Sequence, residues 1–151
     1  MITRLVLVDD HPLILDGLER LFGAEDGFEI LARCGDGEEA LAAVRRRPPD
    51  VLVLDLHMPG LGGMEVVRAL KEEEVPTRVV VLTAELDERE ALECLRLGVA
   101  GLCSRRCPQS WCCSAYRKWR PVTCGWRSAL SAGPWSISCV ARPGRSAWPV
   151  G

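Results

Sequence analysis

The stretch DVLVLDLHMPGLGGMEVVRAL, residues 50–70, shows how this chain folds. It begins with an apolar run, DVLVLDL (50–56), which has the length and composition of a buried strand. A turn containing Pro and Gly follows, and GMEVVRALKEE (63–73) then places apolar residues at helical spacing. The stretch therefore predicts a strand, a loop and a helix in succession.

The same alternation continues on both sides of this stretch. Further strands are predicted at RLVLV (4–8), FEILARC (28–34) and RVVVLTA (78–84). Further helices are predicted at PLILDGLERLF (12–22), GEEALAAVRRR (37–47) and DEREALECLRLG (87–98). Apolar strands that alternate with helices imply a parallel sheet covered on both faces, which is a doubly wound α/β fold.

The charge of the chain is divided unequally along its length. Residues 1–101 contain all 21 acidic residues and 11 basic ones, so they carry a formal charge of −10. Residues 102–151 contain eight basic residues and no acidic one, together with all five Trp and six of the eight Cys. The two parts therefore need separate interpretations.

The chain is expected to be cytoplasmic and not to enter a membrane. No run is long and apolar enough to span a bilayer. The apolar run near the N-terminus is short and ends in two acids, which is not the pattern of a signal peptide. In a reducing compartment the eight Cys would not form a disulfide framework.

Polar residues follow three of the predicted strands. Asp9 and Asp10 end the first strand, Asp55 ends the third and Thr83 ends the fourth. Carboxylates that converge at one edge of a parallel sheet would suit Mg²⁺, which prefers oxygen ligands. A metal beside a carboxylate and a hydroxyl can serve phosphoryl transfer.

Each of these residues has a simpler interpretation when it is taken alone. An Asp after a strand is commonly a helix cap or a solvated turn, and a Thr is an ordinary strand residue. The coincidence at several strand ends favours function. His11 and His57 could suggest zinc, but they flank a site better suited to a hard cation, so we interpret both as bystanders.

The first 101 residues resemble a known family. LVLVDDHPLILDGLERLF, DVLVLDLHMPGLGGMEVVRAL, RVVVLTA and ALECLRLGVAG are similar to the receiver domain of bacterial two-component response regulators. DDHPL…DGL with D-L-x-M-P-G most resembles the NarL/LuxR-type transcription regulators. The resemblance implies a flavodoxin-like (βα)5 fold with strand order 2-1-3-4-5.

The resemblance also implies roles for individual residues. Asp55 would accept a phosphoryl group from a sensor histidine kinase. Asp10, helped by Asp9, would hold Mg²⁺ together with Asp55 and the backbone carbonyl of His57. Thr83 would hydrogen-bond the phosphoryl group, and the protein would act as a signalling switch in transcription regulation, not as an enzyme.

The expected response surface is a face made by the fourth helix, fifth strand and fifth helix, which could also form a homodimer. We place the receiver domain at residues 1–120 and an irregular tail at 121–151. We expect no DNA-binding output domain of the subfamily in residues 121–151, so DNA binding is not expected of this chain.

Three positions depart from the family pattern. Gly62 stands where the family often has Asp or Asn, Leu102 where it has an aromatic and only sometimes an aliphatic residue, and Arg105 where it has an essential Lys. Arg is not equivalent to Lys, because a planar guanidinium differs from a compact ammonium on a flexible stem. The fifth βα unit is therefore expected to be non-native or damaged.

The Cys- and Trp-rich tail allows three interpretations. A metal or redox module is disfavoured because no CxxC pair occurs. A nucleic-acid-binding tail would use the basic and Trp residues, but no helix-turn-helix pattern is present.

We favour a wrong reading frame from about residue 102. Every Cys and Trp codon begins with TG, so reading one base earlier converts each into Leu, Met or Val, and codons can be chosen that place a lysine at position 105.

Two other functions remain open at this point. A pseudo-receiver would keep the fold as a protein-interaction module without being phosphorylated, which the missing lysine favours and the acid triad opposes. A phosphatase or phosphotransferase with an aspartyl nucleophile usually has a second acid two residues later, where this chain has His57.

Overall fold

The computed structural model describes residues 2–24, 26–84, 87–104 and 139–141. Within these residues one sheet is formed by six strands: β1 (Thr3–Val8), β2 (Phe28–Cys34), β3 (Val51–Leu54), β4 (Arg78–Thr83), β5 (Gly101–Ser104) and β6 (Cys139–Ala141). Four helices connect β1 to β5: α1 (Pro12–Gly23), α2 (Gly37–Arg46), α3 (Gly63–Glu72) and α4 (Glu88–Leu97). The predicted elements of residues 1–101 are all present, with bounds shifted by two residues at most.

The strands lie in the order β2-β1-β3-β4-β5-β6, and β1 to β5 are parallel. The predicted order 2-1-3-4-5 is confirmed. Val8, the last residue of β1, is in register with Cys34 of β2 on one side and with Leu54 of β3 on the other. The chain leaves β1 toward β2 and then returns past it to β3, so the topological switch point lies where β1 and β3 end.

Alternate residues of the strands lie on opposite faces of the sheet, and both faces are buried. On one face Leu5, Leu7, Val51 and Val53 pack in a cluster with Phe22 of α1. On the other face the even-numbered positions of the same strands pack with apolar residues of α2, α3 and α4. Because both faces are covered, these strands are nearly continuous apolar runs.

The helix ends follow ordinary capping chemistry. The Asp36 side chain accepts a hydrogen bond of 2.8 Å from Glu39 N at the start of α2. Asp87 and Glu90 form a reciprocal capping box at the start of α4, and Gly98 ends that helix with φ of 79°. No helix in the described part of the chain is long and apolar enough to cross a membrane.

The change from an acidic to a basic, Cys- and Trp-rich composition falls within β5. β5 pairs in parallel with β4, from Val80 opposite Gly101 to Thr83 opposite Ser104, so the strand of the fifth unit is formed. On its other side β5 pairs antiparallel with β6, a short strand that the sequence did not predict in a tail expected to be irregular. Arg105, the expected fifth helix and the rest of the tail lie outside the described residues.

Candidate functional site: an acidic cluster at the switch point

The predicted polar residues meet at the carboxyl edge of the sheet. Asp9 and Asp10 follow β1, Asp55 follows β3, and Thr83 is the last residue of β4. β1 neighbours β3, and β3 neighbours β4, so parallel pairing places these three strand ends side by side. The backbone continues the alignment beyond β3, because Asp55 N donates to Val8 O at 3.0 Å.

Three carboxylates and one imidazole converge at this edge. One potential ligand atom from each of Asp9, Asp10, His11 and Asp55 lies within 4.8 Å of the others. Asp9 and Asp55 are buried, with 1% and 4% of their surface exposed, and Asp10 is partly buried. Buried carboxylates this close together need compensating positive charge.

The carboxylate oxygens differ in how well they are satisfied. Asp9 Oδ1 accepts a hydrogen bond of 2.9 Å from His11 N and lies 3.1 Å from His11 Nδ1. Asp10 Oδ1 is buried and has no hydrogen-bond partner among the residues that the structure describes. It also lies 2.8 Å from His11 Nδ1, within ion-pair distance, although this contact is not a hydrogen bond. An oxygen desolvated in this way is costly unless a cation offsets it.

This donor set fits a divalent cation. Mg²⁺ takes carboxylate oxygens and keeps several waters, and a buried oxygen without a hydrogen-bond partner has a lone pair to offer. Asp9, Asp10 and Asp55 could hold the ion, and their role as ligands stays a prediction. Whether the carbonyl of His57 completes the ligand set stays a prediction.

A cysteine ends the strand next to the cluster but adds no thiolate. Asp9 N donates to Cys34 O at 3.1 Å, so the two backbones are adjacent. Burial, reinforced by Glu39 and Asp36, raises the pKa of the Cys34 thiol to about 11. The thiol is therefore protonated at neutral pH, which leaves the cluster with oxygen ligands and one imidazole.

The loop after Asp55 is held against it by a glycine. Gly63 N donates to Leu56 O at 3.0 Å at the point where α3 begins. A Cβ atom on Gly63 would lie 2.3 Å from Asp55 O and 2.7 Å from Leu56 Cα, so no side chain can be accommodated. This close approach fixes the backbone of Asp55 between β3 and α3.

Thr83 is connected to α4 through His57. The Thr83 side chain is fully buried, and its Oγ1 lies 3.4 Å from His57 Nδ1. His57 Nε2 lies 2.7 Å from Glu90 Oε1, and Glu90 belongs to the capping box of α4. The sequence signals the capping box, but not this contact between residues 33 positions apart.

Both histidines lie closer to the site than their interpretation as bystanders implied. His11 lies inside the acidic cluster, and His57 lies between Thr83 and Glu90, while their roles stay untested. The sequence offered one indication that His11 lies near the acids, because it directly follows Asp10. Its side-chain direction, however, depends on how α1 begins.

A family model described as the response regulator receiver domain matches residues 5–115. The chain belongs to this family. The receiver domain is 35% identical over 98 residues to the response regulator GacA of Pseudomonas viridiflava, a match that covers 65% of this chain and 46% of that protein.

Solved structures show the same relationship. A LuxR-family two-component response regulator from Aurantimonas sp. SI85-9A1 has 28% identity and a TM-score of 0.74, over 79% of this chain and 85% of that chain. The signal receiver domain of NarL from Mycobacterium tuberculosis has 30% identity and a TM-score of 0.73, over 78% and 95%. The resemblance to NarL/LuxR-type response regulators is confirmed.

The chain spans about half the length of the curated relatives that it matches. The similarity therefore concerns the receiver domain. This similarity gives no information about activities that belong to the remaining parts of those proteins.

Proposed function

We propose that this receiver domain is a phosphoacceptor switch in which Asp55 takes a phosphoryl group from the phosphohistidine of a sensor histidine kinase. The observation that carries the proposal is the acidic cluster: buried Asp55 lies beside Asp9 and Asp10, and Asp10 Oδ1 has no hydrogen-bond partner within the described ranges. Clustered carboxylates destabilise the fold unless a cation offsets their repulsion, and such arrangements occur at functional sites.

The transfer uses an oxygen of Asp55 as nucleophile. The new O–P bond forms as the P–N bond to the kinase histidine breaks, and the electron pair of that bond returns to the imidazole nitrogen. When bound by Asp9, Asp10, Asp55 and the His57 carbonyl, Mg²⁺ supplies charge neutralisation for the phosphoryl oxygens. The rigid backbone of Asp55 against Gly63 holds the nucleophile in a fixed orientation.

The switch would pass through Thr83. A phosphoryl group on Asp55 adds negative charge and acceptor oxygens at the end of β3, and the Thr83 hydroxyl ends the adjacent strand. A shift of that hydroxyl would disturb its 3.4 Å contact with His57, whose ring also contacts Glu90 at the start of α4. The event would then reach the face made by α4, β5 and the expected fifth helix, through which the domain could form a homodimer.

The wider setting is proposed by analogy with the relatives. Several of them are named as response regulators or transcriptional regulatory proteins. We infer that this receiver works in cytoplasmic two-component signalling that leads to transcription regulation, as a switch and not as a metabolic enzyme. DNA binding is not proposed for the chain as it stands.

One assay tests the proposal. The full chain is incubated with Mg²⁺ and acetyl phosphate, and intact mass is compared for wild type, Asp55→Asn and the matched control Asp50→Asn, which removes an acid at the opposite edge of the sheet. We expect an adduct of roughly 80 Da on wild type and on Asp50→Asn, and none on Asp55→Asn.

Other outcomes would overturn the proposal. A folded wild-type protein that gains no adduct would indicate a pseudo-receiver. Consumption of many donor molecules per protein chain would indicate a phosphatase or phosphotransferase.

A further inference from the structure

His11 lies among the carboxylates and is not turned away from them. Its Nδ1 atom is 3.1 Å from Asp9 Oδ1 and 2.8 Å from Asp10 Oδ1. The ring is otherwise accessible, since 61% of the side chain is exposed. The imidazole therefore lies at the solvent side of the cluster, with one nitrogen facing the two oxygens.

These separations match those between adjacent ligands of one metal ion. Metal–ligand bonds of about 2.0–2.2 Å at right angles place neighbouring ligand atoms about 2.8–3.1 Å apart. Both measured distances from His11 Nδ1 lie within that range. The nitrogen and either oxygen could thus occupy neighbouring positions around one cation with little rearrangement.

An imidazole changes which cation the cluster prefers. Mg²⁺ is bound through oxygen and gains little from a nitrogen ligand. First-row transition ions bind imidazole readily, and their affinity for a mixed nitrogen and oxygen site rises along the series that begins with manganese. Adding His11 to the three carboxylates therefore favours transition ions over Mg²⁺.

We propose that His11 is a further metal ligand, which lets this receiver bind first-row divalent transition ions through Nδ1 more strongly than it binds Mg²⁺. The inference rests on the proposed function, because it adds a ligand to the cation site of the phosphoacceptor. It goes beyond that function by assigning the ion class and a nitrogen ligand.

A competing interpretation is that the turn at the start of α1 sets the position of the His11 ring. His11 is the N-cap residue of α1, and its backbone N already donates to Asp9. The ring Nδ1 also forms a hydrogen bond of 3.1 Å with Asp9 Oδ1, so the turn and this hydrogen bond could by themselves hold the ring beside Asp9. In that case it would contribute nothing to metal affinity or selectivity.

Mn²⁺ is the appropriate probe. It is paramagnetic, and it prefers oxygen and nitrogen ligands to the thiolates that the eight Cys could offer to zinc. The chain contains two histidines, so a nitrogen signal from a coordinated imidazole has two possible sources. The full chain is studied as wild type, His11→Ala and His57→Ala, the last of which keeps the backbone carbonyl.

The experiment combines electron spin-echo spectroscopy of bound Mn²⁺ with calorimetric titrations of Mn²⁺ and Mg²⁺. We expect a directly coordinated nitrogen signal in wild type and His57→Ala that is lost in His11→Ala. We also expect His11→Ala to weaken Mn²⁺ binding about tenfold while Mg²⁺ affinity stays within about twofold. Retained Mg²⁺ binding shows that the variant is folded.

Two results would overturn the inference in different ways. If both ions bind and Asp10→Asn abolishes binding, but no nitrogen signal appears and His11→Ala binds Mn²⁺ as wild type does, His11 is not a ligand and the proposed function stands. If neither ion binds the folded wild-type chain, or binding survives Asp10→Asn, the cation site of the proposed function fails with it.

Discussion

The two edges of the sheet both carry aspartates, but they use them in opposite ways. At the amino edge, Asp50 precedes β3 and is paired with Arg4 of β1. Its Oδ2 accepts from Arg4 N at 2.8 Å and from Arg4 Nε at 3.2 Å, and its Oδ1 accepts from Arg4 Nη2 at 3.2 Å. The backbones also join, since Asp50 N donates to Arg4 O at 2.9 Å.

At the carboxyl edge the acids face one another. Asp9, Asp10 and Asp55 share a small space with His11, and Asp10 Oδ1 accepts no hydrogen bond from any described residue. A fold can use a charge to tie strands together, or it can gather like charges so that a bound cation stabilises them. The amino edge does the first, and we propose that the carboxyl edge does the second.

The largest expected effect comes from disturbing the backbone beneath the carboxyl edge. Gly63→Ala would place a Cβ atom 2.3 Å from Asp55 O. Relieving this clash must move backbone, so the free energy of unfolding should fall by about 2–3 kcal/mol, measured by urea denaturation.

Gly17→Ala provides the matched control on α1. A Cβ there meets nothing within 4 Å in the part of the chain that the structure describes, so the same change should raise stability by about 0.5–1 kcal/mol. Equal effects at the two glycines would contradict the close packing of Gly63 on Asp55.

An intermediate effect should have opposite signs at the two edges. In EDTA, Asp10→Asn removes repulsion within the cluster and should raise the free energy of unfolding by about 1 kcal/mol. Asp50→Asn breaks the pair with Arg4 and should lower it by about 1 kcal/mol. Denaturation curves of the two variants would measure both.

Adding Mg²⁺ should give a second difference in stability between the two variants. Wild type and Asp50→Asn should gain stability as the ion binds the folded state, whereas Asp10→Asn should not. Two results would contradict the assignment of the carboxyl edge as a cation site. One is that Asp10→Asn is less stable than wild type in EDTA, and the other is that Mg²⁺ stabilises Asp10→Asn.

The smallest expected effect is the pH dependence of the amino-edge pair. The hydrogen bond from Arg4, partly opposed by desolvation, lowers the pKa of Asp50 below its usual value of 3.8. A lowered folded-state pKa contributes stability above pH 3.8 that is lost as the pH falls through the folded-state value. Because the pair is partly exposed, this pH-dependent contribution should be below about 1 kcal/mol.

The difference in unfolding free energy between wild type and Asp50→Asn should therefore be constant from pH 5 to 7, and should shrink below about pH 4. Thermal or urea unfolding across this range would measure it. A difference that grows as the pH falls would show that Asp50 is not held in its ionised form by Arg4.

Most of the fold was predictable because its signals are local. Each strand is a short apolar run, each helix has apolar residues at helical spacing, and Gly98 and Asp87 mark helix ends as expected. The short strand β6 had no such signal, because its three residues are defined by pairing with β5. The proposed change of reading frame stays a prediction.

The candidate site was predictable in part for a similar reason. Acids and a hydroxyl directly after strands must meet at one edge when the strands are parallel neighbours. The contacts of His11 with the acids, of His57 with Glu90 and of Gly63 with Asp55 have no equivalent signal. They depend on loop paths and side-chain directions that form only when helices pack on the sheet.

The sequence by itself therefore determined the order of elements, the family and the acids of the candidate site, because apolar periodicity and strand-end residues act locally along the chain. The tertiary structure decided which charges are compensated. It paired Asp50 with Arg4 and left Asp10 Oδ1 beside an imidazole nitrogen without a hydrogen bond to it. Charge compensation depends on distances of a few ångströms between separate segments, and these distances exist only in the folded chain.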